Sequence, residues 1–101
     1  MSFGADDTML PTASWFHAAD RSLLRFYGEH SNGPFFCPPG AAGLNVSISK
    51  DHARRRAKVL TVAGLLERQG TNYRITDLGL RYVRGEMNQD DLEALAPNTD
   101  E

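Results

Sequence analysis

The chain has 101 residues, 41% of them hydrophobic and 24% charged, with a formal net charge of −2. That is one small domain's worth of chain, with no run near the roughly 18 apolar residues a membrane span requires. One cysteine, Cys37, rules out an internal disulfide, and three histidines outside any His/Cys cluster leave no metal site or cofactor to expect.

Residues 1–14 mix Gly, Asp, Thr, Pro and Ser and read as a flexible N-terminal arm. With Asp6 and Asp7 and no basic residue, that arm does not read as a signal peptide. Trp15 and Phe16 open the domain proper, expected over 15–96. Asp20 can cap a first helix over about 19–29, whose inner stripe is Leu23, Leu24, Phe26 and Tyr27. Residues 31–34, Ser-Asn-Gly-Pro, stop it. Phe35 and Phe36 form a short extended segment, and Cys37 beside them is expected to be buried. Pro39 suits the first turn of a weak, glycine-interrupted second helix to Leu44.

Residues 45–48 read as a tight turn, with Ser49 as N-cap of the clearest helical stretch, 50–66. Ala53, Ala57, Leu60 and Gly64 share one face of it, and their small size predicts close approach to another helix. Gly70-Thr71-Asn72 turns a hairpin, with Tyr73 and Ile75 on one face and Arg74 on the other. Thr76 caps a fourth helix to Arg84, closed by Gly85. A last helix, about 89–96, carries Leu92 and Leu95, and 97–101 should fray. Helix, short helix, turn, basic helix, hairpin, helix is the order of a mainly α winged helix-turn-helix.

Charge is distributed unevenly along this order. Residues 50–84 hold nine Lys/Arg against three acids, a local +6, while 85–101 hold acids alone, −6. A basic middle between acidic ends is the footprint expected for a phosphate backbone, although a basic run alone can also be a merely solvated face. At 100° per residue, Arg55 lies almost opposite the small-residue stripe and Lys58 within about 50° of that direction. Arg54 and Lys50 fall on one shoulder. Arg56 falls on the other, nearer the core, where an ion pair with Asp20 or Glu29 is the expectation. Arg55 is assigned to a base edge, and Lys50, Arg54 and Lys58 to bases or phosphates. Ser47 and Ser49 precede the helix where its free N–H groups favour phosphate, Ser49 primarily as a cap. Asn72 and Arg74 are the wing contacts, with Arg74 ranked above Arg68. Trp15, Leu92 and Leu95 are expected to form a homodimer interface.

The stretches Arg54-Arg55-Arg56-Ala57-Lys58-Val59-Leu60, Gly64-Leu65-Leu66-Glu67, Tyr73-Arg74-Ile75-Thr76-Asp77-Leu78-Gly79 and Tyr82-Val83-Arg84-Gly85-Glu86-Met87 resemble the haloarchaeal phiH-type phage repressor family. Trp15-Phe16-His17 and Asp20-Arg21-Ser22-Leu23-Leu24 fit that family's first helix, and the resemblance covers about 15–92. It implies a small winged-helix transcriptional regulator, a repressor, in the cytoplasm and associated with the nucleoid, from a haloarchaeon or its virus. Two features depart from the pattern: the Gly- and Pro-rich segment from Phe35 to Gly43, and Ala53 and Ala57 where larger apolar residues are expected.

The expected function is therefore sequence-specific binding of double-stranded DNA, with helix 49–66 in the major groove and the wing, 66–76, on the backbone or minor groove. The alternative is a winged-helix module that docks proteins through the same helix, which would call for an apolar ridge. No Ser/His/Asp set, phosphate loop or paired-acid motif appears, so neither an enzyme nor a small-molecule substrate is expected.

Overall fold

A computed structural model of the chain describes residues 12–30 and 37–96. Expectations for residues 1–11, the stop at 31–34, Phe35, Phe36 and the tail at 97–101 lie outside the described residues. The elements run α1 (Ala18–Glu29), α2 (Pro39–Asn45), α3 (Lys50–Val62), β1 (Leu66–Gln69), β2 (Asn72–Ile75), α4 (Asp77–Val83) and α5 (Gln89–Ala94). This is the winged helix-turn-helix architecture expected from the sequence. No helix among the described residues is long and apolar enough to cross a membrane.

Local chemistry sets the helix ends. The Ser49 hydroxyl accepts from the His52 N–H at 3.2 Å and the Thr76 hydroxyl from the Gly79 N–H at 3.1 Å, each filling one of the open donors of a first turn. Asn88 and Asp91 cap α5 reciprocally. Helix α3 ends four residues earlier than expected. Gly64 is not on its buried face but follows it at φ +89°, and the Leu65 N–H reaches the Leu60 carbonyl at 2.9 Å. With the Gly64 N–H on the Thr61 carbonyl, this is a Schellman end, which a left-handed glycine allows at no steric cost. Released from the helix, Leu65 and Leu66 enter the core.

The connection after α1 is tied to the wing. Cys37 and Tyr73 exchange backbone N–H···O bonds of 2.9 Å, and the Tyr27 hydroxyl donates to the Cys37 carbonyl at 2.7 Å. Burial pushes both the Tyr27 phenol and the Cys37 thiol above their ordinary ranges, so the cysteine is a packed residue, as expected. The departure at Ala53 also has its reason here. A Cβ on Gly43 would lie 2.8 Å from Ala53 Cβ and from the Ile48 carbonyl oxygen, so α2 crosses α3 where neither side has room for a larger residue.

Helix α1 is joined to α3 by a buried ion pair. Arg56 Nε donates to Asp20 Oδ1 at 2.8 Å, and its Nη2 to Oδ2 at 2.7 Å and to the Trp15 carbonyl at 3.1 Å. Asp20 is fully enclosed, and its carboxylate also accepts from the His17 N–H at 2.9 Å. The expected ion pair thus forms with Asp20.

The C-terminal helix is built into the protomer. Leu92 has no exposed surface, the Trp15 indole N–H donates to the Leu92 carbonyl at 2.9 Å, and Ser14 bonds both oxygens of Glu93. The expectation of Leu92 as a dimer contact is thereby corrected. A side chain enclosed by its own protomer offers nothing to a partner. Trp15 and Leu95 pack on the same core and are half-buried.

Replacing Arg56 by alanine strands an enclosed carboxylate, so R56A should lower the unfolding free energy by about 3–5 kcal/mol. R55A, one residue away and exposed, should change it by less than about 0.5 kcal/mol. Urea unfolding followed by circular dichroism measures both, and equal effects would contradict this account.

Candidate nucleic-acid interface

Burial of Arg56 and Val59 turns the outward direction of α3. With Ala53, Arg56, Ala57, Val59 and Leu60 inside, the direction opposite the core passes close to Lys58 and Asp51. It leaves Arg54 and Arg55 about 50° to either side at 100° per residue. The ridge is therefore flanked by Arg54 and Arg55 rather than crested by Arg55.

The two shoulders face different surroundings. Lys50, Arg54 and Lys58, one helical turn apart, line a trough of about 660 Å³ between α3, the start of α2 and the hairpin. Leu44, 67% exposed, and the wing residues Arg68 and Thr71 also line it. No carboxylate lines this trough among the described residues. Arg54 lies 3.7 Å from Asp51, but both side chains are exposed, so water and salt screen the pair and an incoming phosphate can compete for the arginine. Lys50, Arg55 and Lys58 have no acid partner among the described residues.

Hairpin register decides which wing residue joins them. Arg68 pairs with Tyr73 across the ladder, and Glu67 with Arg74. Residues directly opposite share a face, so Arg68 lies on the Tyr73 side, toward the trough, where its Nε donates to the Gly70 carbonyl at 2.7 Å. Arg74 is on the other face, its Nε 3.4 Å from Glu67. Of the two wing arginines it is thus Arg68, ranked second from the sequence, that lines the trough. The signal was available: a turn at Gly70-Thr71 sets Arg68 opposite Tyr73. Asn72 pairs with Gln69 beside the turn, half-buried.

Ser49 acts as the cap described above. Ser47 is exposed in the α2–α3 turn at φ +63°, a left-handed conformation that a non-glycine residue rarely adopts. The structure thus gathers Lys50, Arg54 and Lys58 with Arg68, the wing arginine ranked second from the sequence. Arg55 is left on the far shoulder, the two serines at the head of α3, and Arg74 behind the wing.

A family model for winged helix-turn-helix phage repressors matches residues 9–95. The chain belongs to that family. It is a family of DNA-binding regulators rather than of enzymes, and the cationic trough beside α3 is the surface of this repressor-family protein suited to a phosphate backbone. No curated protein and no solved structure matches the chain.

Two outcomes test the site. R68A should weaken binding to all duplexes alike and reduce the slope of log affinity against log salt by about one unit. A loss confined to one sequence would contradict a phosphate role. Ser47→Gly should raise stability by up to about 1 kcal/mol by relieving the left-handed backbone. If its hydroxyl meets phosphate, the same variant binds duplex more weakly, so stability and affinity move in opposite directions.

Proposed function

We propose that this chain is a sequence-specific double-stranded-DNA-binding repressor of the haloarchaeal phiH type. It places α3 in the major groove and the β1–β2 wing along the adjacent backbone or minor groove. The observation that carries this reading is the set of four cations, Lys50, Arg54, Lys58 and Arg68, lining one trough that holds no acid among the described residues. One strand's phosphates lie in the trough, and Arg54 and Arg55 reach base edges from the two sides of the ridge. Arg55 keeps its role as a base contact because it is exposed, unpaired among the described residues and outside the trough. Arginine donates two parallel hydrogen bonds to a guanine edge, whereas Lys58 is a point charge suited to phosphate. Repression follows sterically, the bound protein occluding a promoter.

A protein-docking module would present apolar residues along α3. Of the exposed positions along α3, Lys50, Asp51, Arg54, Arg55 and Lys58 are instead charged, and Val62 in the last turn is the single apolar one.

Selection of bound duplexes from a random pool, at stated salt, tests the proposal. A shared sequence should emerge, and three neutralised phosphates per protomer, at Lys50, Lys58 and Arg68, should contribute about −3 to the salt slope. R55A should cost about 1–3 kcal/mol on the selected site and relax one base position. Recovery of no preferred sequence would overturn the reading.

A further inference from the structure

The trough beside α3 has two walls of different character. One carries the cations of α3 and the wing. The other is the start of α2, where Pro38, Ala41 and Leu44 are exposed and Pro39 and Gly40 are buried. The walls meet at Gly40, where a Cβ would lie 3.5 Å from Lys50 Cγ and 3.9 Å from Arg54 Nη2. Leu44 stands one turn further along α2 on the Gly40 face, 67% exposed. Resting on the reading of the trough as a DNA site, we propose that Leu44 packs against a deoxyribose of the strand whose phosphates meet Lys50, Lys58 and Arg68. The contact makes the site selective for deoxyribose over ribose at that nucleotide.

The chemistry of the two walls matches the two sides of a strand. Every phosphate is bonded to a sugar, so a strand held by cations on one wall sets its sugars against the other. A deoxyribose presents C–H bonds at its 2′ carbon, where a ribose carries a hydroxyl. The side chains of Pro38, Pro39, Ala41 and Leu44 can neither donate nor accept a hydrogen bond. The carbonyls of Pro38 and Ala41 are already engaged, by the Ala42 N–H at 3.1 Å and by Asn45 Nδ2 at 3.0 Å. A 2′-hydroxyl pressed onto Leu44 therefore gives up its water with no partner in exchange, whereas a deoxyribose gains apolar contact.

Leu44 is free for this role. Val46 and Ile48, next along the chain, pack against the hydrophobic core, and Leu44 does not. An exposed leucine by itself signifies nothing. This one is set apart by standing in a concavity with Lys50 and Arg54. A protein partner would have to bring acids for the cations and an apolar group for the leucine, whereas each nucleotide of a strand carries both. The thymine methyl is the other apolar group of DNA, but it lies on a base edge in the major groove, with the α3 ridge rather than with the phosphates of the trough.

The test is a ribonucleotide scan of the duplex recovered by selection. One deoxynucleotide at a time is replaced by its ribonucleotide, and binding of the full chain is followed by fluorescence anisotropy at fixed salt. For each bound protomer, ribose at one or two adjacent positions of one strand should weaken binding about tenfold, and elsewhere less than about twofold. L44A should bind the all-deoxy duplex about threefold more weakly and lose the positional penalty. L44N, whose amide can bond the hydroxyl, should lose the penalty as well, and L44M should keep it. A penalty that came from altered sugar pucker would persist in L44N. Circular dichroism establishes that each variant is folded, as expected for so exposed a position. A flat scan on a bound duplex, or a penalty unchanged in folded L44A and L44N, would overturn the proposal. So would a flat scan joined to a Leu44-dependent loss on exchanging thymine for uracil, which assigns the leucine to a base methyl. A chain that binds no duplex at all removes the DNA reading and this contact together, whereas duplex binding with a flat scan removes the contact alone.

Discussion

The rotation of α3 about its own axis is the constraint on which the functional surface depends, and the Asp20–Arg56 pair sets it. Three consecutive arginines occupy 54–56, and each residue turns the helix by 100°. Only one of them can face α1. Drawing Arg56 inward onto a carboxylate with no exposed surface commits Arg54 to the trough side and Arg55 to the opposite shoulder. A slip of one residue would bury a cation without its partner, at a cost far above what any exposed ion pair returns. The pair's value is thus as much in specifying the phase of the helix as in stability. Its third contact, from Arg56 to the Trp15 carbonyl, extends that specification to the segment that clamps α5.

The trough arises where that phase meets the hairpin register. Lys50, Arg54 and Lys58 would be an ordinary solvated stripe if nothing stood opposite them. Tyr73, bonded to Cys37 on one edge and paired with Arg68 on the other, fixes the wing beside α3. The stripe becomes one wall of a concavity, and Arg68 closes the other. Concavity matters electrostatically, because low-dielectric walls concentrate the field of the cations that line them.

Much of this was legible in the sequence where the information is local. Ser49 and Thr76 as caps, Gly85 as a terminator, the alternation of Tyr73, Arg74 and Ile75, and the inward lean of Arg56 all follow from residue type and spacing. The errors lie where two readings of one residue compete or where a partner is distant. Gly64 fits the four-residue stripe of α3 as well as it fits a terminator, and the hydrogen bond between Leu65 and Leu60 decides for the latter. Alternation along β2 alone singles out Arg74, whereas a face belongs to a pair of strands and the pairing of Arg68 with Tyr73 sets Arg68 toward the trough. Leu92 reads from the sequence as an interface residue because a short amphipathic helix needs some apolar partner. That partner proved to be its own core, with Trp15, 77 positions away, bonded to its carbonyl.

Net charge was the least informative quantity. A total of −2 does not describe the trough. At physiological ionic strength charges are screened over about 8 Å, so a phosphate responds to the cations within that distance and hardly to acids elsewhere on a molecule 37 × 30 × 22 Å in extent. Keeping acids out of the trough lets a chain of negative net charge carry one concavity lined by cations alone among its charged groups. High salt shortens the screening distance further and weakens the long-range part of that field. Contacts that survive such conditions are the short ones, which in the proposed reading are the guanidinium forks of Arg54 and Arg55 against base edges. These two arginines sit beside the charges that salt would attenuate.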